Sequence, residues 1–153
     1  MSEVAIRNRQ RSRRIHARML KRILRVLLVE LLRLGDFEVC VHLVSSSRIA
    51  WLNARFLQHS GSTDVITFDA HDTRPPGRIA GEIFISVNDA VLHARKFRTS
   101  WQSEIVRYVI HGLLHMRGFD DLQPARRRVM KRQENRLLRQ IARRFPLEKL
   151  GRI

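Results

Sequence analysis

A single cysteine, Cys40, stands in this chain of 153 residues, so no disulfide can form within it. That excludes a sulfur-stapled secreted scaffold and makes a reducing compartment, the cytoplasm, the expectation. Cys40 lies inside the alternating run FEVCVHLV and is read as a buried, reduced thiol. Long apolar runs are also missing. The longest aliphatic run near the start, VLLV at 26–29, sits between an arginine and a glutamate, far short of the roughly 20 residues that cross a bilayer. No membrane span is expected, and the first residues lack the apolar centre of a secretory signal. Repeats and low-complexity segments are absent. With 44% hydrophobic residues the chain can bury one core, so 1–153 is read as a single domain.

Acidic residues are scarce: 14 Asp plus Glu against 30 Lys plus Arg, a net charge of +16. The excess sits at the ends. Residues 1–34 hold ten basic and two acidic side chains, residues 122–153 eleven and two, and the middle nine and ten. Two arginine-rich ends suit a polyanion, and nucleic-acid phosphate is the simplest one. A solvated basic surface or an acidic protein partner are the alternatives.

Apolar spacing supplies the elements. SEVAIRN reads as a first strand, and Leu20, Ile23, Leu24, Leu27, Leu28 and Leu31 recur at three and four, predicting an amphipathic helix over 12–34 ended by Gly35. Strands follow at 36–44, 63–69 and 78–86, with a serine-capped helix after the first of them. Helices are predicted near 87–98, 101–117 and 124–144, the last opened by Gln123 and Pro124. Strands early and helices late point to an α+β class, a mixed sheet of about four strands packed with helices.

The stretch HGLLHMRGFDD, 111–121, carries the chemistry. At about 100° per residue, Val106, Val109, Ile110 and Leu113 share one side of a helix, and Glu104, His111 and His115 lie nearly opposite. Histidines at i and i+4 can put two imidazoles on one ion, with Zn–N of about 2.0–2.1 Å. Gly118 is the left-handed stop that lets the chain turn back, which brings Asp121 round as a third ligand. Asp120 is placed to orient the turn or a ligand histidine. One zinc ion fits this set best, with manganese, nickel or iron open alternatives. An HExxH protease keeps a glutamate beside its first histidine, where this chain has Gly112.

These residues resemble a known family. HGLLHMRGFDD is similar to the HGxLHxxGyDH signature of the YbeY-type endoribonucleases, and LNARFL at 52–57, STDVITFD at 62–69 and GEIFIS at 81–86 follow in the same order. Met130, Glu134 and Leu138 match its last helix. The resemblance implies a metal-dependent endoribonuclease acting in ribosomal RNA maturation and ribosome quality control, with ribosomal RNA and the small subunit as partners. It carries His111 and His115 over as zinc ligands, and Asp121 as a substitute for a third histidine. The family arginine that helps bind phosphate falls at Leu57, after Phe56; Arg55 is the nearest substitute. Thr63 and Asp64 border the metal cleft in the family, and His59 and His71 could reach a substrate phosphate from nearby loops. Arg126, Arg127 and Arg128 are the RNA-binding candidates from charge. The expected function is a hydrolytic endoribonuclease. A non-catalytic metal-containing RNA or ribosome-binding factor, a metzincin-like protease and an iron oxygenase are the alternatives, and the oligomeric state is open.

Overall fold

Alternating apolar residues place two strands, β2 (Phe37–Val44) and β4 (Ile79–Ser86), at the centre of the molecule. In the computed structural model, which describes residues 2–58, 61, 63–70 and 78–151, β1 (Glu3–Asn8) and β3 (Val65–Asp69) flank them in the order β1-β2-β4-β3. β1 runs parallel to β2 and β2 to β4, whereas β3 pairs antiparallel with β4. The sheet is mixed and four-stranded, and the class is α+β. Among the described residues no helix is long and apolar enough to cross a membrane.

Strand pleating sends successive side chains to opposite faces. Val39, Val41, Leu43, Ile79, Ile83 and Ile85 meet α1 (Ala17–Arg25), α4 (Trp101–Met116) and α5 (Pro124–Arg144) in the main core. On the other face, α2 (Ser46–Phe56) packs Ile49 and Leu52 onto Val44 and Ile66. Helix α3 (Val87–Phe97) follows β4 directly, capped by the Ser86 hydroxyl. Cys40 does not join the main core. Because Val39 and Val41 point inward, Cys40 faces the other side of the sheet and is only half-buried, which corrects the reading of a buried thiol.

The first helix departs from the pattern at both ends. It begins at Ala17 instead of near 12, because the buried Gln10 side chain takes up the chain before it: Oε1 accepts from Ser12 and Arg13 N–H, and Nε2 donates to Asn8 and the Arg13 carbonyl. At its far end it widens into a π-helical turn, Val26–Leu31, closed by Leu32 N–H on the Leu27 carbonyl and Leu34 N–H on that of Leu28. The wider turn brings the left-handed reversal to Arg33, at φ 53°, so Gly35 is not the stop. β3 starts at Val65, which leaves Thr63 and Asp64 in the approach to the strand. A closing 3-10 turn, Leu147–Gly151, has no signal in the apolar spacing; it buries Leu147 and Leu150 and accepts His16 N–H on the Leu150 carbonyl.

Helix α4 is buried on nearly every side. Each fully buried Leu or Ile contributes roughly 1.5–3 kcal/mol, so Ile105, Ile110 and Leu113 anchor it firmly in the core. Beyond its first three residues, only the strip through Arg107, His111 and His115 is left partly open, and the candidate centre hangs on that strip.

Candidate metal centre

The end of α4 sets the geometry. Arg117 N–H closes on Leu113 and Leu114, and Gly118, at φ 99°, turns the chain so that Phe119 N–H reaches the Leu114 carbonyl at 3.0 Å. That is a glycine-terminated helix stop in which residue 118 needs the left-handed region that an L side chain resists. The chain then doubles back and delivers Asp121 beside the two histidines. His111 Nε2 lies 3.0 Å from His115 Nε2 and 3.6 Å from Asp121 Oδ2, and His115 Nε2 lies 3.9 Å from Asp121 Oδ1.

The other nitrogen of each ring fixes what faces inward. His115 Nδ1 sits 3.1 Å from the Phe119 carbonyl, which can only accept, so that nitrogen carries the hydrogen. His111 Nδ1 donates to the Glu134 carboxylate at 2.6 Å. In the neutral rings both Nε2 atoms are therefore bare lone pairs, pointed at each other and at a carboxylate. Such a set repels itself unless a cation stands between its members. Donors on a tetrahedral ion with bonds of about 2.0–2.1 Å lie about 3.3 Å apart, and the observed separations bracket that value, so two imidazoles and one carboxylate fit a single divalent ion. Burial, and then the neighbouring His111, hold the His115 pKa below the usual histidine range, which keeps its ring in the ligand-competent neutral form.

Glu134 was not picked out by spacing, since it comes from α5, 23 residues beyond His111. It is 5% exposed and bridges His111 to Arg107, whose Nη1 lies 3.5 Å from Oε1 and donates to Asn135 at 2.8 Å. A buried carboxylate needs such partners. This hydrogen bond fixes the imidazole tautomer and raises its basicity as a ligand. Glu134→Gln is therefore expected to weaken metal binding by ~10–100-fold, read by competition with a chromophoric chelator. Unchanged affinity would remove Glu134 from this role.

Asp120 does only half of what its sequence position allows. Its carboxylate accepts Arg126 Nη1 at 2.9 Å and Leu122 N–H at 3.2 Å, contacts that lower its pKa and hold the turn, and it is Glu134 that accepts the N–H of His111 instead. A cleft of about 750 Å³ opens beside the centre, lined by His111, Asp121, Arg107, Arg127, Arg128 and Lys131 among others. Of the three basic candidates, Arg127 and Arg128 line this cleft; Arg126 lines a neighbouring depression with Asp120. Asp64 lies on the cleft wall with its carboxylate 4.0 Å from His93, whereas Thr63 lines a shallower hollow and contacts Asp64 at 3.4 Å. Tyr108 also lines the cleft. Its hydroxyl has no hydrogen-bond partner among the described residues, and burial, with Asp64 and Glu104 nearby, pushes its pKa far up, so it stays a donor.

The remaining candidates fall elsewhere. Arg55 is exposed on the last turn of α2 and is not among the described residues lining the cleft. Leu57 is exposed at 42% and only closes α2 through its N–H to the Asn53 carbonyl. His59 and His71 lie outside the described residues. Gly112 is decided by packing: a Cβ there would meet Ile83 Cδ1 at 2.7 Å and Cγ1 at 2.8 Å, with Thr67 Oγ1 at 3.1 Å. Residue 112 thus faces the sheet, where a glutamate has no room and no line to the three donors, and the proteolytic arrangement cannot be built here.

Comparison with known proteins agrees with this architecture. Residues 5–142 match the family model described as Endoribonuclease YbeY. A Parabacteroides distasonis protein named Endoribonuclease YbeY is 38% identical over 94 residues, 61% of this chain and 64% of its own length. One from Bacteroides thetaiotaomicron is 36% identical over 106 residues, covering 69% and 74%. The solution structure of TM1509 from Thermotoga maritima superposes with a TM-score of 0.66 at 26% identity, covering 95% of both chains. With a family model spanning most of its length and named relatives above a third identical, the chain belongs to the endoribonuclease YbeY family.

Proposed function

We propose that residues 1–153 act as one domain, a hydrolytic endoribonuclease holding one zinc ion on His111, His115 and Asp121. The observation that carries this reading is the pair of bare Nε2 atoms converging with Asp121 at 3.0–3.9 Å on the wall of a cleft that also carries Arg127, Arg128 and Lys131. Zinc bound there supplies Lewis acidity, which acidifies water and polarises a phosphoryl oxygen. The chain does the rest. Glu134 holds the His111 tautomer, the Phe119 carbonyl holds that of His115, and Asp121 adds a negative charge that keeps a cation in place. Arg127, Arg128 and Lys131 line the cleft from α5, which supports a role for them in binding the phosphates flanking the scissile bond in place of the family arginine lost at Leu57. Ribosomal RNA on the small subunit, in the cytoplasm, is the substrate that best suits the family and the charge, and maturation and quality control of that RNA are the proposed role.

The test is cleavage of ribosomal RNA by purified protein with zinc, with chelator, and after zinc is restored. Cleavage that chelator abolishes and zinc returns supports the reading; metal-loaded protein that cuts no ribosomal RNA substrate sinks it. One observation favours a second reading, a non-catalytic metal-containing RNA-binding factor: Leu57 stands where the family has its phosphate-binding arginine. Under either reading RNA affinity falls with salt. Replacing Arg127, Arg128 and Lys131 by glutamine is expected to flatten the log–log salt slope by about 2, at about 0.7 per phosphate contact on single strands. An unchanged slope would mean that these three cations are only solvated.

A further inference from the structure

On the face of the sheet turned away from α4, three side chains of different donor type meet. Cys40 and His42 are two residues apart on β2, so pleating puts both on the same side. The strand register places Glu82 of β4 directly opposite Cys40. His42 Nε2 is 2.8 Å from Glu82 Oε1, and the Cys40 sulfur, a His42 nitrogen and a Glu82 oxygen all lie within 4.8 Å of one another. The His42 ring is stacked on Phe84, with centroids 4.2 Å apart and planes 4° from parallel, which aims its nitrogen instead of leaving it to swing. We propose that Cys40, His42 and Glu82 form a second metal site, for one thiophilic divalent ion of the zinc class, tying the two central strands together.

A sulfur, an imidazole and a carboxylate select zinc or cobalt over magnesium or calcium, whose hard ions prefer all-oxygen shells. Bonds of about 2.0–2.3 Å require the His42–Glu82 contact to open only slightly to admit the ion. Thiolate and carboxylate together balance the charge of a divalent cation. Burial, and then Glu82, hold the free thiol above its ordinary pKa, so binding must release the Cys40 proton to solvent, while the nearby Arg7 favours the thiolate. The sheet separates this set from the histidine centre, because α4 packs on the face carrying Val41 and Ile83.

One chemical fact makes the idea testable: Cys40 is the only cysteine. A thiolate-to-cobalt charge-transfer band can therefore come from this site alone. Metal-free, reduced protein is titrated with Co²⁺ while the band, the bound metal per chain and the molecular size are followed. The expected result is two ions per chain, a saturable near-ultraviolet band and no change from monomer size on binding. If the unliganded chain already self-associates, the criterion is an unchanged size. The variant Cys40→Ser should lose the band and fall to one ion. His111→Ala with His115→Ala should keep the band and also bind one ion, separating this site from the histidine centre. Circular dichroism checks that each variant is folded. Absence of the band in wild-type protein, its loss in the double histidine variant, or a band that appears only as two chains associate would each overturn the proposal.

Discussion

His115→Ala is expected to strip the centre of its ion and to reduce RNA cleavage to the level of metal-free protein, with RNA binding largely retained. Removing one donor from a set of three should weaken metal binding well beyond the ~10–100-fold that follows loss of an outer hydrogen-bond partner. Nothing in the core depends on this ring: His115 is partly exposed, and among the described residues its polar partners are His111, Asp121 and the Phe119 carbonyl. Arg127, Arg128 and Lys131 of the cleft stand on α5 and stay in place. Metal content by elemental analysis, cleavage of ribosomal RNA and a binding isotherm separate the effects. Wild-type cleavage rates in a metal-free His115→Ala protein would detach hydrolysis from this centre.

Residue 121 offers the second large effect, because one substitution should abolish what another retains. Asparagine keeps the size of aspartate and loses its charge, so Asp121→Asn should lower metal affinity by more than the ~10–100-fold of an outer partner. Asp121→His restores three imidazoles, the usual ligand set of the family, and should hold the ion. The turn itself is a poor explanation for either outcome. Asp120 caps it through Leu122 N–H, and Asp121 contributes only its backbone carbonyl, to Arg127 Nε at 3.1 Å. Equal metal occupancy in wild type and Asp121→Asn after dialysis against a weak chelator would remove Asp121 from the ligand set.

Local spacing made much of this legible. The i, i+4 histidines and the glycine stop foretold that His111, His115 and Asp121 would converge, because helix pitch and a left-handed residue are local rules. Glu134 was beyond reach of those rules: only the packing of α5 on α4 brings it to His111. The same limit explains the first helix, where a buried glutamine and a π-helical turn overrode the apolar repeat. It also explains Cys40, since an alternating run does not say which of its two faces meets the larger core.

The three donors stand at the rim of the molecule, with His111, His115 and Asp121 side chains 23%, 29% and 41% exposed, while α4 is anchored by residues well behind them. A fold built this way is complete before any ion arrives, unlike small domains in which metal and folding are one event. Occupancy then becomes a matter of supply. An ion bound there would be the one its surroundings deliver most competitively along the Irving–Williams order, so under the proposed function the cleavage rate should track the free-metal poise of its compartment.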